Sequence, residues 1–517
     1  MKKFFLFVLS LFMVFSFTAW AGAKTLKVGL DADPVTLDIH EQLSGGMLQF
    51  SHWVYDPLVR WNKEHQIVPR LAEKWERLDE LTVRFYLKKG VQFHSGNTMT
   101  AKDVQWTFNR LTTSKDFQGL FEPFKEVKIV DDYTVDMITK KAYPLLINMA
   151  TYIFPMDSKF FTGTDENGKP KDLLIKFEPH FAASNESGTG PYVVKKYEKG
   201  VVLEMERFKD YWDTKSPGNV DKIILKPIKE NATRVAALLS GDVDFISPVP
   251  PTDFKRIQSD AKVDLITVSG GRIITFQMNQ RRVEAFKDAR VRNAICYAVN
   301  NTGIVKKIMK GTATVGAQQG PEGYVGYKAN LTARYDLAKA KALMKEAGYE
   351  NGFEISMMAP NNRYVNDFKI AEATAQMLSK INIKVNLKTI PKAQYWPEFD
   401  NRAADMMMIG WHSDTEDSGN FSEFLTVCPE KKEGYGVYNA GYYCNERVDE
   451  LVYGAQSETD NVKRKKMLQE VEQILYDEAA FVPFHWQNHS YAAKKNVKAA
   501  PIVNALNFPY FGDVVVE

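Results

Sequence analysis

The sequence predicts an α/β protein built from two lobes with a cleft between them. Three observations support this prediction. The chain has 517 residues, more than a single hydrophobic core usually organises. Segments typical of strands and helices follow one another along most of its length. Irregular passages near residues 248–269 and 483–486 separate a first mixed region from a second, and we expect the chain to cross between the lobes there, forming a hinge.

The composition is that of an ordinary soluble globular protein, with 44% hydrophobic and 25% charged residues. The net charge is +3, and two lysines within the first 23 residues contribute to it. Without those residues the chain is nearly neutral. It therefore has no global electrostatic reason to bind nucleic acid or a membrane surface.

The first 23 residues are typical of a secretory signal peptide. Two lysines precede an apolar run at residues 4–17, and small residues allow cleavage after Ala21 or Ala23. The apolar run is shorter than the ~20 residues of a membrane-spanning helix. No cysteine near the cleavage site offers a point for lipid attachment. We therefore expect an exported, periplasmic protein that is not embedded in the membrane.

The cysteines fit an oxidising compartment. Cys428 and Cys444 are 16 residues apart, and we predict a disulfide between them, worth roughly 3 kcal/mol for a loop of this size. Cys296 stands beside Ile295 in a helical pattern, which favours a buried apolar thiol over a reactive one.

The first region begins with a strand at residues 26–30, followed by an irregular segment. Residues 49–61 indicate a helix that runs into a strand. Apolar and polar residues alternate at 81–87, as in a half-buried strand. Thr100 and Asp103 form a capping box at the start of a helix. These elements predict a mixed α/β first region.

A glycine-rich segment at residues 188–192 lacks the third glycine of a dinucleotide loop and precedes strands, so it indicates a turn. The helix predicted at 231–239 ends at Gly241. Beyond it, residues 263–279 predict a pair of strands, and 288–301 an amphipathic helix. A second α/β region therefore begins here.

Within the second region, Asp336 caps a helix that stops at Gly348. Residues 353–390 then have the pattern strand, helix, strand, which predicts a parallel β-α-β unit. A further amphipathic helix is predicted at 461–476, and 481–493 returns as a strand. This final strand is expected to lead the chain back to the first region.

The stretch 405–421 is the main candidate for a binding site. Its apolar run predicts a buried strand that ends at Gly410, where the backbone can turn. Trp411 follows, and then three acids, Asp414, Glu416 and Asp417, crowd into four residues. An aromatic side chain beside carboxylates at a strand end can line a pocket. The alternative is a solvated acidic loop after a core strand.

Six segments stand together in one order and spacing. They are LKKGVQFHSGNTMTAKDVQWTFNR (87–110), GTGPYVVKKYEKG (188–200), ERFKDYW (206–212), LLSGDVDFI (238–246), VRNAICYAVNNTGIVKKIMKG (291–311) and GWHSDTEDSGNF (410–421). With them, essentially the whole mature chain resembles the family 5 extracellular solute-binding proteins, the periplasmic dipeptide- and oligopeptide-binding receptors of ABC importers.

The resemblance implies a bilobal, periplasmic-binding-protein-like α/β fold with two hinge crossings. We expect lobe I at residues 24–268, with an extra subdomain inserted at about 50–175. Lobe II is expected at 269–484, and residues 485–517 return to lobe I. It also implies a monomer that captures small peptides and works with the membrane permease subunits of an ABC importer, without a cofactor.

The family's ligand-binding positions map onto two charged residues. The aspartate three residues after the Gly-Trp pair, here Asp414, holds a peptide's α-ammonium in this family. Arg363 matches the arginine that holds the α-carboxylate in the dipeptide receptors. The Cys428–Cys444 pair also matches a disulfide of those receptors. Two departures are a serine after Asp417, where the family has proline, and Tyr364 where the arginine's neighbour is usually proline.

Other groups complete the predicted ligand site. Gly410 and Trp411 are expected at its wall, with Trp411 either lining a side-chain pocket or packing in the core. Ser44 and Gly45, with the following glycine, are expected to hydrogen-bond the ligand backbone as an added strand. Such contacts do not depend on ligand side chains and allow broad specificity.

Two kinds of alternative stay open. One is the same receptor role for another cargo, namely a nickel chelate, haem, glutathione or a sugar, because a fold does not choose among ligands. The more distant one is an exported hydrolase, for which the sequence holds neither a G-x-S-x-G nor an H-E-x-x-H motif. His485 and His489 lie in a strand-like run without a third ligand, so no metal site is predicted.

Overall fold

The computed structural model describes residues 23–176, 178–361, 363–413, 415–432, 435–498 and 508–517. Residues 1–22 of the predicted signal peptide lie outside the described residues, and so does Asp414. The helices that are described include none long and apolar enough to cross a membrane.

Strands in the described residues are β1 (Thr25–Leu30), β2 (Val59–Trp61), β3 (Ile67–Pro69), β4 (Ala72–Arg77), β5 (Thr82–Leu87), β6 (Phe124–Asp131), β7 (Thr134–Thr139), β8 (Tyr192–Glu198), β9 (Val202–Arg207), β10 (Lys222–Pro227), β11 (Phe245–Ser247), β12 (Val263–Met278), β13 (Ala313–Val315), β14 (Phe353–Pro360), β15 (Ile383–Ile390), β16 (Met406–Trp411), β17 (Phe481–Lys494), β18 (Val497–Lys498) and β19 (Val515–Val516).

The α-helices are α1 (Gly45–Val54), α2 (Ala101–Thr113), α3 (Gln118–Phe121), α4 (Leu146–Met149), α5 (Ser158–Phe161), α6 (Phe181–Ser184), α7 (Asn231–Ser240), α8 (Phe254–Gln258), α9 (Ala289–Ala298), α10 (Asn301–Ile304), α11 (Leu337–Glu346), α12 (Asp367–Leu378), α13 (Lys392–Asp400), α14 (Ser418–Leu425), α15 (Glu446–Ala455) and α16 (Asn461–Asp477). Short 3₁₀ turns lie at Ala150–Tyr152, Pro251–Asp253, Glu284–Lys287, Ser379–Ile381 and Phe511–Asp513, and a π-helical turn at Val305–Met309.

One large mixed sheet runs through the molecule in the order β15-β14-β16-β12-β17-β11-β1-β10-β9-β8, with β13 on β17. The long strands β12 and β17 pair with each other in its middle. On one side β12 continues to β16, and on the other β17 continues to β11. We call the elements from β1 to α8 the amino-terminal half and those from α9 to α16 the carboxyl-terminal half. The predicted α/β fold class is confirmed.

The predicted pair of strands at 263–279 is wrong, because these residues form the single strand β12. Both of its segments pair with β17, and the register shifts between Val268 and Arg272. Gly270 and Gly271 lie at this shift, where a glycine relieves crowding: a Cβ on Gly270 would lie 2.2 Å from the carbonyl oxygen of Gln487. The glycines therefore make a bulge in a continuous strand and not a turn.

A second, smaller sheet has the order β4-β5-β7-β6 and packs against α2. The capping box at Thr100 and Asp103 is present at the start of α2. Val104, Phe108 and Leu111 of this helix are buried in one core cluster with residues of the sheet. This small unit belongs to the amino-terminal half, in the region where the inserted subdomain is predicted.

Several local predictions are confirmed in the carboxyl-terminal half. Strands β14 and β15 are parallel neighbours joined through α12, as the β-α-β pattern predicts. The Asp336 side chain caps α11 by accepting a hydrogen bond from the Lys339 backbone N–H at 2.9 Å. Cys428 and Cys444 are joined in a disulfide, and Cys296 is a buried free thiol.

Candidate functional site

The candidate site starts at β16, which lies between β14 and β12 in the large sheet. Its residues from 406 to 410 are buried, as the apolar run predicts. The strand does not end at Gly410, because Trp411 still pairs with Ile273 of β12. The chain therefore leaves the sheet at His412, next to the central pair of strands.

Tyr364 ties a second segment to this strand end. Its hydroxyl accepts a hydrogen bond from the Gly410 backbone N–H at 2.8 Å and donates to the Gly410 carbonyl oxygen at 3.3 Å. A Cβ at residue 410 would lie 2.6 Å from the Tyr364 ring and 2.6 Å from Ile274. Glycine is therefore needed at 410 because Tyr364 and Ile274 occupy the space of a side chain.

Arg363 is held beside this contact by its backbone. Its N–H donates to the Asp367 carboxylate at 2.8 Å, and the Tyr364 N–H donates to the same oxygen at 3.0 Å. The Arg363 side chain is exposed, with its guanidinium carbon 5.0 Å from the centre of the Tyr364 ring. The backbone of Arg363 is thus fixed while its cation faces solvent, which suits recognition of an anion.

Trp411 is half-buried and packs on the carboxyl-terminal half. Its indole N–H donates to Asn420 at 3.1 Å. Its ring lies 5.0 Å from that of Phe424 and 4.9 Å from that of Tyr438, measured between centroids. This position is compatible with both predicted roles of Trp411, which are packing in the core and lining a pocket for a ligand side chain.

The loop after Trp411 is bound tightly on both sides of Asp414. The buried Ser413 hydroxyl accepts backbone N–H groups from Thr415 at 3.2 Å and from Asp417 at 3.3 Å. Asn148 of the amino-terminal half donates from its side chain to the Thr415 carbonyl oxygen at 2.8 Å. The residues flanking Asp414 are therefore ordered by contacts with both halves of the molecule.

Asp417 shapes the loop. Its carboxylate caps α14 by accepting the Gly419 N–H at 2.7 Å, and it forms a buried ion pair with Arg464, whose Nη2 lies 3.0 Å from Oδ1. The alternative of a solvated acidic loop is wrong for Asp417, which is fully buried. A buried carboxylate needs such a partner, because desolvation of an unpaired charge is costly.

Glu416 is also buried, and its partner comes from the other half of the molecule. Its Oε2 contacts Nδ1 of His65, which lies in the turn between β2 and β3. Burial raises the pKa of the Glu416 carboxyl, whereas the hydrogen bond to Glu416 raises the pKa of His65. The sequence gives no signal for this pair, because 351 residues separate its members.

Ser44 and Gly45 form the start of α1 and not an extended edge. Ser44 is the N-cap and its hydroxyl accepts the Met47 N–H at 3.5 Å, while Gly45 stands in the first turn. The segment therefore lacks the geometry of a strand that a ligand could extend, although Gly45 itself is exposed. Any contact between these residues and a ligand stays a prediction.

Two histidines, His412 and His489, lie at the bulge of β12. A Cβ on Gly271 would lie 3.1 Å from Nδ1 of His412, and one on Gly270 would lie 3.0 Å from Nε2 of His489. Desolvation and the nearby Arg272 lower the pKa of both histidines, that of His489 to about 4. Within the described part of the chain, no group of three His, Cys, Asp or Glu side chains is placed to hold a metal ion.

The chain is similar in sequence to known binding proteins along most of its length. It is 28% identical over 481 residues to the dipeptide-binding protein of Escherichia coli strain K12, covering 87% of this chain and 86% of that protein. It is 27% identical over 462 residues to haem-binding protein A of Haemophilus influenzae, covering 84% and 81% respectively.

A solved structure shows the same fold. It is the ABC transporter-associated periplasmic binding protein DppA from Helicobacter pylori in complex with the peptide STSA, with a TM-score of 0.72 and 23% identity over 95% of this chain and 98% of that chain. The model of the bacterial extracellular solute-binding proteins, family 5 (middle region), matches residues 66–433. The chain belongs to the family 5 bacterial extracellular solute-binding proteins.

Proposed function

We propose that this protein is a periplasmic receptor that captures small peptides between two lobes and delivers them to the permease of an ABC importer. The observation that supports it best is the Tyr364–Gly410 contact. It brings the segment of Arg363 to the strand end from which the loop of Asp414 departs. The relatives named for dipeptide and peptide ligands support the same cargo.

The two charged residues suit the ends of a zwitterion. The Asp414 carboxylate binds the α-ammonium of the peptide, and the planar fork of Arg363 binds the α-carboxylate in a bidentate manner. Gly410 and Trp411 form the wall between them. The first turn of α1, with Ser44 and Gly45, supplies further backbone contacts. The recognition groups thus read the two ends of the ligand and leave its side chains free to vary.

Closure follows from the way the two halves are joined. Residues 24–268 and 485–517 form lobe I and residues 269–484 form lobe II, with β12 and β17 as the connecting strands. The bulge between Val268 and Arg272 supplies the hinge. A ligand that touches both lobes binds the closed state more tightly and shifts the population towards it.

Calorimetric titration of the purified mature protein with di-, tri- and tetrapeptides tests this function. Asp414→Ala and Arg363→Gln are each expected to weaken binding by roughly 100- to several thousand-fold, because each leaves a desolvated ligand charge without its partner, at about 3–5 kcal/mol. The melting temperature of the empty protein should stay nearly unchanged.

Two exposed residues serve as matched controls. Asp210→Ala removes an exposed carboxylate, and Arg281→Gln removes an exposed guanidinium paired with Glu430. Both should bind peptides as the native protein does. Unaltered affinity in Asp414→Ala contradicts the assigned anchor. Native mass spectrometry that finds haem or glutathione bound, with no peptide binding in solution, contradicts the peptide cargo.

A further inference from the structure

We propose that His65 is a positioning residue for ligand capture: it reaches from the amino-terminal half into a socket in the carboxyl-terminal half and holds Glu416, two residues from Asp414. The pair then couples the approach of the two halves to the placement of the anchor loop, residues 413–417. This inference rests on the proposed function, because it concerns the same cleft.

The hairpin turn that carries His65 is built to present this side chain. The Asn62 side chain accepts backbone N–H groups from Glu64 at 3.0 Å and from Gln66 at 2.8 Å. The His65 N–H donates to the Asn62 carbonyl oxygen at 3.2 Å, and His65 has a left-handed φ of +56°. A non-glycine residue held in this conformation by surrounding hydrogen bonds is often functional.

The carboxyl-terminal half provides a socket for the imidazole, formed by Gly323, Tyr324 and Glu416. A Cβ on Gly323 would lie only 2.5 Å from Cδ2 of His65, so the glycine leaves room for the ring. The Tyr324 ring meets the imidazole edge-on with 5.7 Å between centroids. The Ser418 N–H donates to the Val325 carbonyl oxygen at 3.0 Å, which joins the socket to the end of the anchor loop.

The buried carboxylate of Glu416 has His65, which enters this socket, as its charge partner. Its side chain is 1% exposed, and its φ of +54° is again left-handed. Its Oε2 contacts His65, whereas its Oε1 is buried without a hydrogen-bond partner in the part of the chain that the structure describes. When His65 is withdrawn, this carboxylate has lost its charge partner and favours a rearranged, hydrated loop.

The rest of the anchor loop is already held at other points. Arg464 of the carboxyl-terminal half binds Asp417, and Asn148 of the amino-terminal half binds Thr415. The contact of His65 with Glu416 is therefore a second link between the two halves at this loop. Separation of the halves breaks both links and releases the segment that flanks Asp414.

Protonation should modulate this link. The pKa of His65 is raised mainly by its hydrogen bond to Glu416 and further by Glu64, and burial raises the pKa of Glu416. The uncharged hydroxyl-bearing ring of Tyr324 is the other described group against the imidazole. Both shifts mean that the docked pair binds protons more tightly than the separated pair. Docking therefore takes up protons, and it weakens as the pH rises from about 6.5, the ordinary pKa of histidine, through the raised pKa of the docked His65.

The first test measures the affinity for one probe, the dipeptide alanyl-phenylalanine, by calorimetry between pH 5.5 and 7.5. Below pH 7.5 the peptide's own α-amino group stays mostly protonated. His65→Gln should weaken binding on the order of 10-fold at pH 5.5, a typical coupling between sites, and should remove most of the pH dependence. Glu416→Gln keeps an acceptor for His65, so it should retain more affinity than His65→Gln while it also flattens the pH profile.

His94→Gln is the matched control. His94 and Glu186 form a similar buried pair, with Nδ1 2.7 Å from Oε2, but both belong to the amino-terminal half. The pKa of His94 is raised as well, with the Glu186 carboxylate as the main cause that raises it. This variant is expected to lose stability while it keeps the native pH profile of affinity. A pH profile in His65→Gln that equals the native one overturns the proposal.

The second test needs no ligand. Spin labels on Lys102→Cys of α2 and Lys345→Cys of α11, both exposed, report the distance between the halves in the empty protein. The distribution should shift to longer distances between pH 5.5 and 7.5, and it should be long at both pH values in His65→Gln. Identical distance distributions in the native and variant proteins overturn the proposal that the His65–Glu416 contact links the two halves. A pH-dependent shift in the native protein, without any binding of the dipeptide, supports this link and contradicts the proposed peptide function.

Discussion

The hydroxyl of Tyr364 bridges both backbone groups of Gly410, at 2.8 Å from its nitrogen and 3.3 Å from its carbonyl oxygen. Tyr364 replaces the proline that the family resemblance leads us to expect beside Arg363. In this chain it fills the space above a glycine at a strand end and joins the two segments that carry the predicted ligand charges. The departure from the family pattern is thus a structural element of the candidate site.

Tyr364→Phe should lower the free energy of unfolding by about 1–3 kcal/mol, because the Gly410 N–H loses its acceptor in a buried position. Gly410→Ala should cost a similar amount, since its Cβ collides with the Tyr364 ring and with Ile274. Urea unfolding measures both. Tyr335→Phe, at an exposed tyrosine, is the control, and an equal loss there would contradict the explanation.

Arg464→Met should destabilise the protein by about 3–5 kcal/mol, because it leaves Asp417 buried without its cation. Arg447→Met removes an exposed ion pair between α15 and α16 and should cost less than about 1 kcal/mol. Combining Arg464→Met with Asp417→Asn removes the uncompensated charge, so the double variant should recover part of the stability. Equal urea midpoints for Arg464→Met and Arg447→Met would refute the prediction that loss of the buried cation costs more than loss of the exposed one.

Glu472 makes stability depend on pH. Burial raises the pKa of this α16 carboxyl to about 7, although it accepts the N–H groups of Gln319 at 3.1 Å and Gly320 at 3.2 Å. The folded state therefore holds a proton more tightly than the unfolded state. The contribution of Glu472 to stability falls as the pH rises from about 4.5 to about 7, by up to about 3 kcal/mol.

The difference in unfolding free energy between native protein and Glu472→Gln isolates this contribution. The variant should gain stability relative to the native protein as the pH increases from 4.5 to 7.5. Glu470→Gln, at an exposed position of the same helix, should show no such trend. A native-minus-variant difference that does not change with pH would contradict the raised pKa of Glu472.

Gly270→Ala should disturb the pairing of β12 with β17, because the added Cβ meets the Gln487 carbonyl oxygen at 2.2 Å. We expect a loss of about 1–3 kcal/mol in urea unfolding and weaker ligand binding, as overpacking in a tightly packed site predicts. Gly119→Ala is the control, since its Cβ meets nothing within 4 Å. A fully stable Gly270→Ala would show that the bulge tolerates a side chain.

Much of the fold was readable from local pattern. The capping box at Thr100 and the Asp336 cap are predictable because the side chain and its backbone partner lie within a few residues of each other. The β-α-β unit is predictable because the hydrophobic periodicity changes twice within 353–390. The pair of strands predicted at 263–279 is wrong, because the glycine pair at 270–271 permits both a turn and a bulge, and only pairing with β17 selects the bulge.

The α/β class, several of the helices and strands, and the family to which the chain belongs follow from the sequence alone. The surroundings of the stretch 405–421 follow only from the folded structure. There, Glu416 and Asp417 are buried, His65 and Arg464 contact them, and Tyr364 lies against Gly410. These partners lie 46 or more residues away, so the pairings depend on long-range packing that no local pattern records.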